Sequence, residues 1–368
     1  VTTKRGKVQA PQISAGASYG LQQPTKVPEF ADSYTYATVY NNAQRSDGIP
    51  EEELTFSEEI VEAFHTNSNP ILFPSADWMD YIVRNSTPQL KSNFSISGGT
   101  ERLKYFAAFG YLDQKGMLKE FDTGTDENFY YKRYNYRTNV DVDVTPSTEM
   151  SFTLGGQSRV RNEPAQGEID QLWRFLYRGA VPWSSPGIVD GRYIVSNQEY
   201  IPMNAHNPLQ FYYGGGSDKR VTNVLNFDMT FRQDLGVLLK GLKFRVKGSY
   251  NVNSTQRKIR STSPNRYTAY YLRDFDESVP DDDDTLVYPL LSRAGNLGYS
   301  ESFGKARNWY FEAALNFNRK FGLHEVGGLL LYNQRNTYYP GGSFNYLPRG
   351  YVGSAARVTY NYKTKYLA

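Results

Sequence analysis

The chain has 368 residues, with 41 Lys or Arg mixed among 38 Asp or Glu, so the formal net charge is only +3 and no basic stripe for nucleic acid stands out. It has no Cys, which excludes thiol chemistry, a Cys-ligated zinc site and disulfides. Mean hydropathy is -0.61, and no run of about 20 apolar residues could form a membrane-spanning helix. Aromatic residues nevertheless reach 15%, and a β-barrel hides its apolar band in alternation that hydropathy does not register.

Val1-Thr2-Thr3-Lys4-Arg5-Gly6-Lys7 reads as a short strand ending in a basic turn. The start at Val1, without a basic-then-apolar leader, reads as a piece of a longer precursor. Ile13, Ala15, Ala17 and Tyr19 then alternate with polar or small residues as a first long strand. The pattern is lost over 20–89, where Pro-rich turns surround a helix predicted near Ser57 to Phe64; a connection of that length points to a functional loop. Strands are predicted at Lys91 to Gly98 and Leu103 to Leu112, joined by a tight turn, and 113–128 is a loop of intermediate length.

The clearest alternation follows. Arg133, Asn135, Arg137, Asn139, Asp141 and Asp143 share one parity; Tyr134, Tyr136, Thr138, Val140, Val142 and Val144 share the other. After a turn at Thr145-Pro146-Ser147-Thr148, Met150, Phe152, Leu154 and Val160 oppose Ser151, Thr153, Gln157, Arg159 and Arg161. Side chains alternate across a strand, so this hairpin has one wet and one apolar face.

A second long insertion, 161–220, carries a predicted helix at Glu168 to Tyr177. Val221 to Gln233 and Leu242 to Asn253 form the next hairpin; 254–307 is again long. A hairpin at Asn308 to Phe317 and Glu325 to Asn333, a loop over 334–355, and a strand at Ala356 to Tyr362 that turns at Lys363-Thr364-Lys365 complete the pass.

Two architectures accommodate one wet and one apolar face. A soluble sandwich uses strands of about 5–6 residues, whereas tilted membrane strands need roughly 9–11 and carry aromatic girdles, which Tyr130, Tyr131, Tyr134 and Tyr136 suit. Connections that alternate long and short over about ten strands follow the outer-membrane rule of short periplasmic turns and long external loops. The expected fold is therefore an all-β transmembrane antiparallel barrel, with the Thr145–Thr148 turn periplasmic and 161–220 outside. The competing reading is a secreted soluble β-rich protein that binds glycans through its loops.

Candidate site residues follow from this layout. Arg133, Arg137, Asp141, Asp143, Gln157, Arg159 and Arg161 would line the lumen, either contacting a plug or substrate, or serving as the solvated, charge-paired wall that any wide barrel needs. Trp173, Tyr177, Trp183, Tyr212 and Tyr213 could stack on sugars or meet a lid protein. Ile169, Leu172, Trp173 and Leu176 lie at helical spacing, which points to a small core within the loop itself. Asp281, Asp282, Asp283 and Asp284 could hold calcium but lack the spaced pattern with a glycine turn, so a solvated acidic loop is the alternative. His65, His206 and His324 are dispersed, Gly214-Gly215-Gly216 lacks the Lys of a phosphate loop, and no acid pair is marked out for glycoside hydrolysis.

Three motifs resemble one family. Val1 to Lys7 resembles the end of the plug domain in SusC/RagA-like TonB-dependent transporters of Bacteroidetes outer membranes. Ser97-Gly98-Gly99-Thr100-Glu101-Arg102-Leu103-Lys104-Tyr105-Phe106, continuing through Gly110 to Leu118, resembles that family's second hairpin, and Lys132 to Asp141 the strand after it. The resemblance implies 1–7 as the plug's end and 12–368 as roughly the first half of a barrel of about 22 strands. It further implies TonB-dependent import of oligosaccharides or peptides, a SusD-like surface lipoprotein as lid, TonB acting on the plug, no catalysis and no resident cofactor. The rest of plug and barrel would close the edges that lipid does not tolerate.

Overall fold

The structure is a computed structural model and describes residues 4–121, 123–124, 126–165, 169–203, 208–211, 213–276, 278–281, 283–339, 347–363 and 366–367. Eleven strands form one antiparallel sheet in sequence order: β1 (Gln9–Gln22), β2 (Thr87–Gly99), β3 (Leu103–Lys115), β4 (Tyr130–Thr145), β5 (Thr148–Pro164), β6 (Gly216–Asp234), β7 (Leu242–Ser261), β8 (Gly298–Phe321), β9 (His324–Tyr338), β10 (Arg349–Tyr362) and β11 (Tyr366–Leu367). Among the described residues β1 and β11 remain edges of an open sheet. Most strands exceed their expected bounds at both ends. Lys4 to Lys7, by contrast, lies outside any strand, and Val1 to Thr3 lie outside the described residues.

Turn chemistry sets the short connections. Thr145 donates its hydroxyl to Thr148 at 2.7 Å around Pro146, whose fixed φ suits a turn and would interrupt a ladder. The amide of Thr100 donates to the Leu103 carbonyl at 2.7 Å. Gly322, with φ of 62°, takes the left-handed place in the β8–β9 turn.

The register runs unbroken through the wall's centre. Val140, Phe152, Met229, Gly248 and Phe311 form one cross-strand row, and Asn139, Thr153, Asp228, Ser249 and Tyr310 the adjacent one on the opposite face. Apolar side chains of the first face, including Phe94, Phe109, Leu154, Phe227, Phe311 and Leu330, are exposed, and Val358 is 76% exposed. Among the described residues no second sheet covers them, as a sandwich would require. This is the lipid-facing band of a membrane barrel, and among the described residues no helix is long and apolar enough to cross a membrane.

The hydrophobic clusters lie elsewhere, among described residues of the long connections 23–86, 116–129, 165–215 and 262–297, which gather as a cap at one end of the strands. Helix α1 (Ser33–Ser46) starts at Asp32, whose carboxylate accepts the Thr35 amide at 2.7 Å. Hydrogen bonds from the Thr35 hydroxyl and amide hold the Asp32 carboxyl below its usual range. Helix α2 (Glu58–Thr66) is capped by Ser57, α3 (Trp78–Ile82) by Asp77, and α4 spans Ile169–Arg178. Three short strands, Gly187–Val189, Arg192–Ile194 and Arg266–Tyr267, join Leu290–Ser292 in a separate small sheet that ties the third long connection to the fourth.

Candidate functional site

The wet face of β2 to β8 lies opposite the exposed apolar band and carries the charges. Arg133, Arg137, Asp141, Asp143, Gln157, Arg159 and Arg161 all share it; Arg133 stands opposite Arg159, and Asn135 opposite Gln157. Around the lower rows charge is balanced locally: Lys104 pairs with Asp143 at 3.7 Å, Arg232 with Glu149 at 2.7 Å, and Arg245 with Glu312 at 2.7 Å.

The N-terminal segment lies against this face. Arg5 pairs with Asp141, Asn139 donates to the Lys4 carbonyl at 2.5 Å, and the Lys4 ammonium sits 5.7 Å from the centre of the Phe106 ring. Phe106 pairs with Asn139 in register, so the segment covers a lumenal aromatic. Gly6 allows the close approach, because an added Cβ would stand 2.4 Å from the Tyr105 amide nitrogen.

Towards the cap, Arg161 lies opposite Arg220, and Arg220 opposite Arg257. Buried Asp218 accepts the Arg257 fork at 2.6 and 2.8 Å, and buried Glu163 accepts Arg161 at 2.6 Å. Arg220 and Arg257 were hidden from sequence reasoning by strand ends placed at Val221 and Asn253. The polar run Ser254-Thr255-Gln256-Arg257-Lys258 offers no apolar contrast by which to extend the alternation.

In the cap, Leu172 and Leu176 of α4 are buried with Trp78, Met79, Ile82 and Leu118, and Trp173 packs against that cluster. Tyr177 is half exposed, 6.4 Å from the Trp173 ring. Trp183 is 1% exposed, its ring 5.8 Å from Phe56 and 6.1 Å from Tyr36. Tyr213 is buried, 5.5 Å from Tyr193 and 5.9 Å from Phe121. Trp183 and Tyr213 therefore have their faces occupied inside the cap, and Tyr212 lies outside the described residues. Of these aromatics that are described, Tyr177 keeps the most exposure.

Polar bonds join the connections to one another. Trp78 donates to the Val181 carbonyl at 2.9 Å, the Ile188 amide donates to the Tyr81 hydroxyl at 2.9 Å, and the Tyr271 amide donates to the Tyr200 hydroxyl at 3.1 Å. Burial raises the Tyr81 hydroxyl above its ordinary pKa; Tyr200 is raised further by burial and by its bond to Asp274. Asp284 pairs with Arg273 at 2.7 Å, and Asp283 accepts the Thr285 amide at 2.8 Å; hydrogen bonding from the Thr285 hydroxyl and amide lowers its pKa. Asp282 lies outside the described residues, among which no three or more His, Cys, Asp or Glu converge as metal ligands.

A lipid-facing band, a charged opposite face and long connections gathered at one end of the strands define part of the wall of a transmembrane β-barrel. No family model matches the chain. It is 22% identical over 157 residues to the TonB-dependent receptor P26 of Formosa agariphila, covering 42% of this chain and 14% of that protein. In structure it is similar to the RagAB peptide importer in the closed-closed state, with a TM-score of 0.57 and 14% identity over 98% of this chain and 41% of that one. The open-open state of the same importer matches with a TM-score of 0.55 and 15% identity. The chain thus spans about two-fifths of the RagAB chains it matches. The resemblance to SusC/RagA-like TonB-dependent transporters is borne out, and the proteins it resembles are receptors and importers rather than enzymes.

Proposed function

We propose that this chain forms the plug-proximal part of the wall of a TonB-dependent transporter in the bacterial outer membrane, which imports an oligosaccharide or a peptide too large for a porin. One observation carries the reading: the strands expose their apolar side chains on one face and place their charges on the other, while the hydrophobic clusters sit in the cap. Only a medium that solvates an apolar face makes that arrangement stable. On this reading Lys4 to Lys7 is the tail of a plug, held to the wall by Asp141 and Asn139. The remaining plug and strands of a longer protein would close the barrel. A SusD-like surface lipoprotein would seat on the cap, where rigid packing among four connections offers a fixed platform, and TonB would release the plug at the expense of the inner-membrane proton gradient.

The test is uptake of fluorescent oligosaccharides and peptides by cells carrying the complete transporter, with and without TonB. Accumulation that requires both supports the proposal. A complete protein that is monodisperse in water without detergent would sink it.

A further inference from the structure

Five arginines gather on the lumenal wall just below the cap. Arg161, Arg220 and Arg257 form one cross-strand row on β5, β6 and β7, and Arg133 and Arg159 face each other two residues further from the cap on β4 and β5. With strands about 4.8 Å apart, the five guanidinium groups span on the order of 15 Å. Arg159, Arg161, Arg220 and Arg257 line one concavity with Tyr131 and Thr255, and Arg133 stands beside it, opposite Arg159.

This patch differs from the wall below it. There, Lys104, Arg232 and Arg245 each meet a carboxylate, so Arg232 and Arg245 are both paired although they face each other. Among the described residues Arg137 has no ion pair and, like Arg245, has a buried Nε without a partner, but no second unpaired arginine stands opposite Arg137. Here the carboxylates are Glu163 and Asp218, which engage Arg161, Arg257 and, at 3.8 Å, Arg220. Among the described residues Arg133 and Arg159 form no ion pair, and the Nε of each is buried without a hydrogen-bond partner. Like charges directly opposite one another destabilise a sheet, and three such pairs occur here: Arg133 with Arg159, Arg161 with Arg220, and Arg220 with Arg257. A wall that needed only to be wet could use Ser, Thr or Asn at these positions, as the neighbouring rows do.

We infer that this patch binds the anionic groups of the imported substrate, which is therefore an oligomer bearing carboxylates or sulfates on several successive units. The inference rests on the transport reading above and names its substrate class. Guanidinium forks match carboxylate and sulfate oxygens in pairs, and a low-dielectric cleft lined by one sign of charge concentrates ligands of the other. A row pitched at about 4.8 Å lets consecutive charged units engage neighbouring arginines. The N-terminal segment does not supply the missing anion: it reaches the wall lower down, at Phe106 and Asn139, and carries Lys4, Arg5 and Lys7.

The experiment measures binding to the complete transporter, plug included, of oligogalacturonate and oligoglutamate, against maltooligosaccharide and oligoserine of equal length. At least one anionic oligomer should bind more tightly than its neutral counterpart, weaken as salt is raised, and lose about tenfold or more in affinity in the Arg133→Gln/Arg159→Gln variant. Which one binds distinguishes a sugar acid from an acidic peptide. Should that variant fail to reach the membrane, Arg133→Lys/Arg159→Lys keeps the charge without the fork and should lose only a few-fold. Equal binding of neutral oligomers, or anion affinity unchanged in the variants, overturns the inference. So does a variant that binds anions normally while its barrel leaks, since the arginines would then be holding the plug. TonB-dependent uptake of neutral oligomers alone would leave the transport reading standing, and uptake of none would remove it.

Discussion

Glu127 and Gly216 are joined by a bond that anchors the cap to the wall: the buried Glu127 carboxylate accepts the Gly216 amide at 2.8 Å and, through its other oxygen, the Gly214 amide at 2.8 Å. Gly216 has φ of 90°, and an added Cβ would stand 1.9 Å from the Arg260 carbonyl oxygen, so the backbone approach that presents its N–H requires glycine. One side chain from the connection 116–129 thereby fixes the point where the third long connection re-enters the sheet at β6.

Replacing Glu127 with Ala leaves both amides without that acceptor, at a local cost of about 1–3 kcal/mol. Hydrogen exchange at Gly214 and Gly216 should quicken on the order of tenfold or more, while the central amides of β4 and β5 stay protected. Unchanged exchange would show that packing alone positions this re-entry.

The approach of the N-terminal segment to the wall depends on Gly6. Its added Cβ would lie 2.4 Å from the Tyr105 nitrogen, 2.5 Å from the Tyr105 oxygen and 2.8 Å from the Gly98 oxygen, all backbone atoms that cannot swing aside. Gly6→Ala should therefore lift the segment and break the Arg5–Asp141 and Asn139–Lys4 contacts, costing about 1–3 kcal/mol of local stability. Distance measurements between spin labels at Lys7 and at the Thr145–Thr148 turn would show a longer, broader distribution; an unaltered one would mean that the strands give way instead.

The wall can be read from the sequence because lipid imposes one rule on every strand, and the contrast between Val140 and Asp141 or between Phe227 and Asp228 survives without knowledge of any partner strand. The cap follows no such rule. Helix α1, Ser33-Tyr34-Thr35-Tyr36-Ala37-Thr38-Val39-Tyr40-Asn41-Asn42, carries no apolar stripe, and only Ala37 with its polar neighbours Ser33 and Asn41 is buried. It is held by tertiary contact, as when Asn41 donates to the Phe56 carbonyl at 2.6 Å. Trp183 and Tyr213 read equally well as ligand platforms or as core because their neighbours, Phe56 and Tyr193, come from distant segments or from a two-stranded turn with no long-range signature. The arginine patch was half legible: Arg133, Arg159 and Arg161 sit in clean alternation, whereas Arg220 and Arg257 lie where both parities turn polar.

Asp32 offers a pH test confined to the cap. Its bond to Thr35 lowers its pKa from 3.8, so the folded state favours the carboxylate. The stabilisation is fully present above the unfolded value near 3.8 and fades as pH falls through the lowered folded value. Asp32→Ala should cost about 1 kcal/mol at neutral pH, with the difference between variant and parent shrinking below pH 3.8. Asp32→Asn, which retains an acceptor, should lose little at neutral pH and remove the pH dependence. Limited proteolysis of α1 across this range provides the readout; a constant difference at all pH values would rule out the cap bond as the cause.

The orientation of the whole sheet is open to a paired substitution. Phe227 stands on the apolar face opposite Leu154 and Tyr250, and Asn226 on the charged face opposite Gly155 and Asn251. If the apolar face meets lipid, Phe227→Arg places a charge near the membrane midplane at a cost of about 2–4 kcal/mol. Asn226→Arg, one residue away, adds the same group to the aqueous lumen with little effect. The complete protein should therefore reach the outer membrane in the second variant and in sharply reduced amount in the first, as read by surface labelling and by heat-sensitive migration on gels. The converse result, tolerance at Phe227 and failure at Asn226, would turn the sheet inside out: the charged rows of β4 to β8 would then face lipid at a cost of several kcal/mol, and the transport reading would fail with the orientation.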